Sequence, residues 1–315
     1  MMLLFPLLLV IVAGILNGSF ALPTKHLTHW GFEHIWSVYA VLAFLLLPLL
    51  FVQLYAPQTW DVYQQAPTSL LQVMCVGGLL FGVGQVGLAL AIDMIGIGLS
   101  FVICISLGTS LGAILPLIVI HPESLFTPFG IFTQLGTLLI IAGVLLCYYA
   151  GILRDRSRAS LAHTSKRYGL GVLLAVMAGI FSAGQNFTFS YTVPLQHQAL
   201  QLGMSQLASS VVLWPGFLIC SVIPYLLYMG YRMKKNHSFK QFFTPHCFRH
   251  MVFALFMALC WYGSLMLYSK TSLLVGRLGP IIAWPLFMVF IILTSNFWGW
   301  LYGEWRDSGQ HTKRY

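Results

Sequence analysis

Residues 3–21 read LLFPLLLVIVAGILNGSFA, nineteen residues without one charge. A helix rises about 1.5 Å per residue and the hydrocarbon core of a bilayer is about 30 Å thick, so about 20 apolar residues cross it. Ser19-Phe20-Ala21 imitates a leader cleavage site, but no basic segment precedes the apolar run, which therefore reads as a spanning helix. Eight further runs of this kind follow: His34–Tyr55, Leu70–Ile92, Ile97–Ile120, Phe129–Ile152, Tyr168–Ser190, Gln206–Gly230, His250–Tyr268 and Pro280–Tyr302. Composition agrees. Only 7% of the 315 residues are Asp, Glu, Lys or Arg and 58% are hydrophobic, against about 25% charged in ordinary soluble domains. So thin a charged shell cannot cover a soluble fold, and the same numbers exclude a disordered chain, a disulfide scaffold and a nucleic-acid module. The sequence predicts an all-α polytopic membrane protein, a bundle of nine transmembrane helices.

Lys and Arg in short loops resist translocation, so their distribution reports orientation. Of the sixteen, fourteen fall after runs one, three, five, seven and nine; only Lys270 and Arg277 fall at the other end. This bias predicts a multi-pass protein of a cell membrane, a bacterial inner membrane by expectation, with the N-terminus outside the cytoplasm. Membrane lipid is the expected partner of the basic loops, and nucleic acid is not. Oligomeric state is left open.

Two stretches repeat. Ala13-Gly14-Ile15-Leu16-Asn17-Gly18-Ser19 is echoed 165 residues later by Ala178-Gly179-Ile180-Phe181-Ser182-Ala183-Gly184, and His121-Pro122-Glu123 by Tyr302-Gly303-Glu304 at an offset of 181. Two similarities in the same order suggest two copies of a five-helix unit. The other explanation is that small residues recur in all membrane helices. Five is odd, so the second copy would lie inverted, a transporter design with its substrate near the midplane. The units divide as 1–152 and 168–315, with a basic cytoplasmic connector at 153–167. The 181-residue offset also places a tenth helix near residue 310, where the sequence is polar and stops at Tyr315. A chain short of its last helix is the expectation.

Several motifs together resemble the L-rhamnose–proton symporter family of the drug/metabolite transporter superfamily. They begin with Phe20-x-x-Pro23-x-Lys25-x4-Trp30 and continue as Trp30-x-x-Glu33-x-x-Trp36-Ser37-Val38. Gly82-x-Gly84-Gln85, the run Leu174 to Gly184, Trp261-Tyr262 and Glu304-Trp305-x-x-x-Gly309 follow in the family's order. The resemblance covers nearly the whole chain and implies ten helices that move a monosaccharide together with a proton by alternating access. One departure is Leu278-Gly279-Pro280-Ile281-Ile282, wholly apolar where the family is more polar. It bears on which solute is carried. A non-sugar solute is the alternative, as is a transport-incompetent protein lacking its last helix.

Polar groups within a span are costly unless partnered, so they are either bonded across helices or functional. The candidates are Asn17, Gln85, Gln185, Asn186, Thr188 and Asn296. A sugar needs paired donors and acceptors for its hydroxyls and an aromatic face for its C–H surface. Substrate contacts are therefore expected from Asn17, Gln85, Gln185 and Asn186 with Trp36, Trp261 and Tyr262. None of the seven acids sits at the centre of a span. Glu33, inside the matched motif, and Asp93 are the candidates for proton coupling, and capping of a helix N-terminus is the alternative role for Glu33.

Other motifs mislead. Gly108-Thr109-Ser110-Leu111-Gly112 fits a nucleophile elbow, but it lies within an apolar helix and reads as a small-residue packing face, like Gly14/Gly18 and Gly78/Gly82. His246-Cys247-x-x-His250 lacks a fourth metal ligand nearby, and the six dispersed Cys residues read as reduced small hydrophobes. No catalytic residues, metal or cofactor are expected.

Overall fold

The computed structural model describes residues 4–27, 29–95, 97–157, 165–243 and 245–302. Among the described residues every regular element is helical. The long helices are α1 (Leu4–Ser19), α2 (Phe32–Tyr55), α3 (Thr68–Ile95), α4 (Ile97–Val119), α5 (Pro128–Ser157), α6 (Ser165–Gln201), α7 (Gln206–Lys235), α8 (Cys247–Val275) and α9 (Gly279–Leu301). A short helix, Thr59–Gln65, joins α2 to α3. Among the described residues, α1 to α4 and α6 to α8 are long and apolar enough to cross a membrane, seven in all; α5 and α9 hold shorter apolar stretches, Pro128–Gly143 and Gly279–Ser295. The chain is a multi-pass membrane protein.

The helix bounds differ from the apolar runs where polarity and helicity part company. α6 does not stop at Ser190 but continues through Pro194 into the polar Gln196-His197-Gln198 stretch. A helix persists there because its residues fill buried contacts, Gln196 being 1% exposed. Residues 153–157 prolong α5 and 165–167 open α6; 158–164 lie outside the described residues, as does everything after Tyr302.

Small residues set the closest helix contacts. A Cβ on Gly14 would fall 2.3 Å from Cβ of Phe290, so α1 lies directly on α9. One on Gly78 would fall 2.2 Å from the carbonyl oxygen of Phe217, which seats α3 on α7. In lipid, such close approach supplies the dispersion and weak polar contacts that hold helices together. α6 packs along α3 and α4, α1 packs along α8 and α9, and α5 lies chiefly against α4.

Candidate functional site

Pro48 has no N–H to donate, and its ring crowds the carbonyl four residues before it. Just ahead of it, α2 loosens into a π turn over Val41–Leu46, where the N–H of Leu47 reaches back to the carbonyl of Leu42. Such turns re-aim side chains and recur at functional positions. Here the turn carries Phe44, a hub whose ring centroid lies 4.9 Å from Trp261 on α8, 6.0 Å from Tyr225 on α7 and 6.3 Å from Phe81 on α3. One turn earlier Tyr39 meets Trp36 edge to face at 5.3 Å and Trp261 at 6.2 Å.

These rings, with Phe20, Phe32 and Gln85, enclose a cavity of about 120 Å³ towards the end rich in Lys and Arg. Among its described lining residues none is charged. Its polar groups are the Gln85 amide, two tyrosine hydroxyls and two indole N–H groups. Such a lining offers aromatic faces to C–H surface and one amide able to donate and accept at neighbouring hydroxyls, groups that can hold a compact, uncharged, polyhydroxylated solute.

The sequence-predicted residues divide. Trp36, Gln85 and Trp261 come together in this cavity. Asn17 stands behind it. Its Nδ2 donates to Ser264 Oγ at 2.8 Å, and Ser264 Oγ donates to the carbonyl of Trp261, so Asn17 steadies the turn that presents that indole. Tyr262 lies outside the cavity lining, its ring 5.2 Å from Phe51. Gln185 is buried on α6 outside the cavity lining. Asn186 donates from Nδ2 to the carbonyls of Gly112 and Pro280 and accepts at Oδ1 from the Tyr268 hydroxyl. Thr188 packs on Gly77. The side chains of Asp93 and Asn296 lie outside the described residues.

Glu33 is buried at 6% exposure, yet it does not line the cavity. Its Oε1 accepts from Asn236 Nδ2 at 2.9 Å and from Ser238 Oγ at 3.1 Å. The neighbouring His34 bonds the carbonyl of Ser238 through Nε2 at 2.8 Å, and its ring meets Phe242 at 4.8 Å. Glu33 and His34 thus strap the turn after α7 onto the start of α2, one helical turn from Trp36. At this end His246 stacks on His29 at 5.1 Å, and His250 is buried beside Trp30.

A second cavity, about 320 Å³, lies at the opposite end, between α6, the end of α4 and the α8–α9 turn. His121, Gln196, His197 and Arg277 give it a polar rim. Rings separate the two cavities: Phe81, Phe217, Trp214, Phe189 and Tyr268 succeed one another at 5.0 to 6.2 Å, and the last bonds Pro280 in the second cavity's wall. The sequence offered little notice of Tyr39, Phe44, Phe81 and Tyr225, whose rings would serve equally well against lipid. For the second cavity the signals were Arg277, one of two basic residues at that end, and the polar Gln196-His197-Gln198 run.

Arg277 Nη2 lies 2.7 Å from Glu123 Oε1, and His121 Nδ1 lies 3.3 Å from the same oxygen, tying the α4–α5 turn to the α8–α9 turn. A backbone hydrogen bond, then Arg277 and His121, hold the Glu123 carboxyl below its ordinary value of 4.5. A depressed carboxylate stabilises the fold above its unfolded pKa and loses that contribution as pH falls through the folded one. The melting temperature of the protein should therefore drop as the pH falls below 4.5, and Glu123→Gln should flatten part of that drop. Identical acid profiles for the two proteins would show that the tie contributes nothing.

Comparison with known proteins identifies a family. The family described as L-rhamnose-proton symport protein (RhaT) matches residues 2–314. An L-rhamnose-proton symporter of Yersinia pestis (strain Pestoides F) is 28% identical over 303 residues, covering 92% of this chain and 86% of that protein. One of Klebsiella pneumoniae (strain 342) is 27% identical over 305 residues, covering 93% and 87%. No solved structure matches. The chain belongs to the L-rhamnose-proton symport protein family.

Proposed function

We propose that this protein carries a monosaccharide across a membrane together with a proton, by alternating access. Family membership supports the symport, and the observation that carries the sugar reading is the aromatic cavity with its single amide. In this reading Trp36 and Trp261 stack on the sugar's C–H faces, Gln85 bonds its hydroxyls, and Asn17 positions Trp261. L-rhamnose, the solute in the relatives' names, is the first to test. A 6-deoxy sugar presents a methyl group that suits so apolar a wall.

We further infer nine membrane crossings in two related, oppositely oriented units. Packing supports the repeat. α1 lies on α8 and α9 as α6 lies on α3 and α4. Gly14 of α1 meets Phe287 and Phe290 of α9, while Gly179 of α6 meets Cys104 and Leu107 of α4. The paired contact positions are 183 residues apart, close to the 181 of the sequence match. On the positive-inside rule the end bearing Lys25, Arg232, Lys234, Lys235 and Lys240 faces the cytoplasm, against anionic lipid, in a bacterial inner membrane. The aromatic cavity then lies on the cytoplasmic side and the larger cavity on the far side.

Glu33 is our candidate for the coupling proton, with Asp93 as the second candidate. Protonating Glu33 would weaken its two bonds to the Asn236–Ser238 turn and free the strap beside Trp36. One proton crossing 100 mV supplies about 2.3 kcal/mol, enough for roughly fiftyfold accumulation. Glu33→Gln should abolish gradient-driven accumulation of labelled L-rhamnose in proteoliposomes while leaving counterflow exchange near the wild-type rate. Accumulation that survives the substitution removes Glu33 from coupling. Equal loss of both activities with a lowered melting temperature assigns it a purely structural role.

A further inference from the structure

Cys75 lies in the second turn of α3, and Cys220 lies on the part of α7 that runs Pro215–Lys235, after a turn at 212–214 that follows Gln206–Val211. Their sulfur atoms are 2.9 Å apart although 145 residues separate them in sequence. The cause is the glycine contact one turn further on. With no side chain on Gly78, the α7 backbone comes so near that a Cβ there would fall 3.0 Å from Cβ of Cys220. Backbone packing, and not a chance rotamer, thus holds the two thiols together. Both are partly accessible, whereas Cys104 and Cys260 are buried apart from them. A disulfide needs an S–S distance of about 2.05 Å with Cβ atoms roughly 3.5–4.5 Å apart, which two helices in this contact reach by small side-chain rotations.

We propose that Cys75 and Cys220 form a redox-reversible crosslinking site that clamps α3 to α7 and arrests transport. The two thiols give up two protons and two electrons as the S–S bond forms. With molecular oxygen as oxidant, two such pairs reduce one O₂ to two waters. A dithiol reverses the step by exchange through a mixed disulfide. The consequence for transport rests on the alternating-access reading. α3 carries Phe81 and Gln85, and α7 carries Tyr225, so a covalent bond between these helices fixes the distance between two walls of the aromatic cavity.

The test uses the full chain in proteoliposomes, oxidised in air with copper–phenanthroline. Mass spectrometry of the digested protein should find the peptides holding Cys75 and Cys220 joined, with two fewer thiols open to maleimide. Counterflow of labelled L-rhamnose should fall to background and return with dithiothreitol, while Cys75→Ser and Cys220→Ser proteins keep their counterflow under oxidant. Failure of the joined peptides to form overturns the crosslink, and joined protein that exchanges rhamnose at the reduced rate overturns the clamp. Reduced wild-type protein that moves no rhamnose counts against the sugar-transport reading instead, and the mass spectrum still decides the crosslink.

Discussion

Gln85→Met is expected to weaken saturable sugar binding by roughly thirtyfold, the equivalent of about 2 kcal/mol, because a bound hydroxyl is left without its amide partner. Met matches the length and bulk of Gln and removes only the hydrogen-bonding atoms, so the apolar packing of α3 is preserved. Gln85→Asn keeps those atoms on a shorter arm and should fall between the two. Trp36 and Trp261 share the cavity with Gln85, which makes their fluorescence a direct reporter. Titration of purified protein with L-rhamnose should give a saturable change that shifts to much higher concentration in Gln85→Met. An unshifted curve would place the sugar elsewhere, with the larger cavity at the opposite end as the next candidate.

Gly78→Val should be the most damaging single substitution for the fold among those considered. The added Cβ would stand 2.2 Å from the Phe217 carbonyl oxygen, and a backbone atom cannot swing aside as a side chain can. Helices α3 and α7 must then separate, at a cost of about 1–3 kcal/mol or more for overpacking. The same separation spreads the cavity walls, so sugar binding is lost with stability. Gly143→Val is the control, since a Cβ on Gly143 meets nothing within 4 Å. Thermal unfolding in detergent should show a clear loss for Gly78→Val and almost none for Gly143→Val. Equal losses would mean that the helix backbone, not the contact, is being perturbed.

The helices were legible because a bilayer imposes length and apolarity on each segment separately. Their partners were not, because leucine and phenylalanine serve equally well against lipid or a neighbour. Phe44 illustrates this: only the π turn ahead of Pro48 makes it a hub. Glycine pairs told more, since a small residue on a membrane helix marks close approach, and Gly14 and Gly78 both lie at such contacts. Buried amides carried two meanings. Gln85 lines the cavity, whereas Asn186 holds two carbonyls and a tyrosine hydroxyl between helices; spacing alone cannot separate these. Glu33 was found through its motif, but its tie to a turn 203 residues away depends on the folded chain.

The most direct test of proton-coupled sugar transport is uptake of labelled L-rhamnose by proteoliposomes under an imposed pH gradient. The structure and family together predict sugar concentrated inside when the outside is more acidic, with collapse to equilibration when a protonophore dissipates the gradient. Uptake of L-rhamnose indifferent to the gradient, or no uptake of any monosaccharide by folded protein, would contradict it.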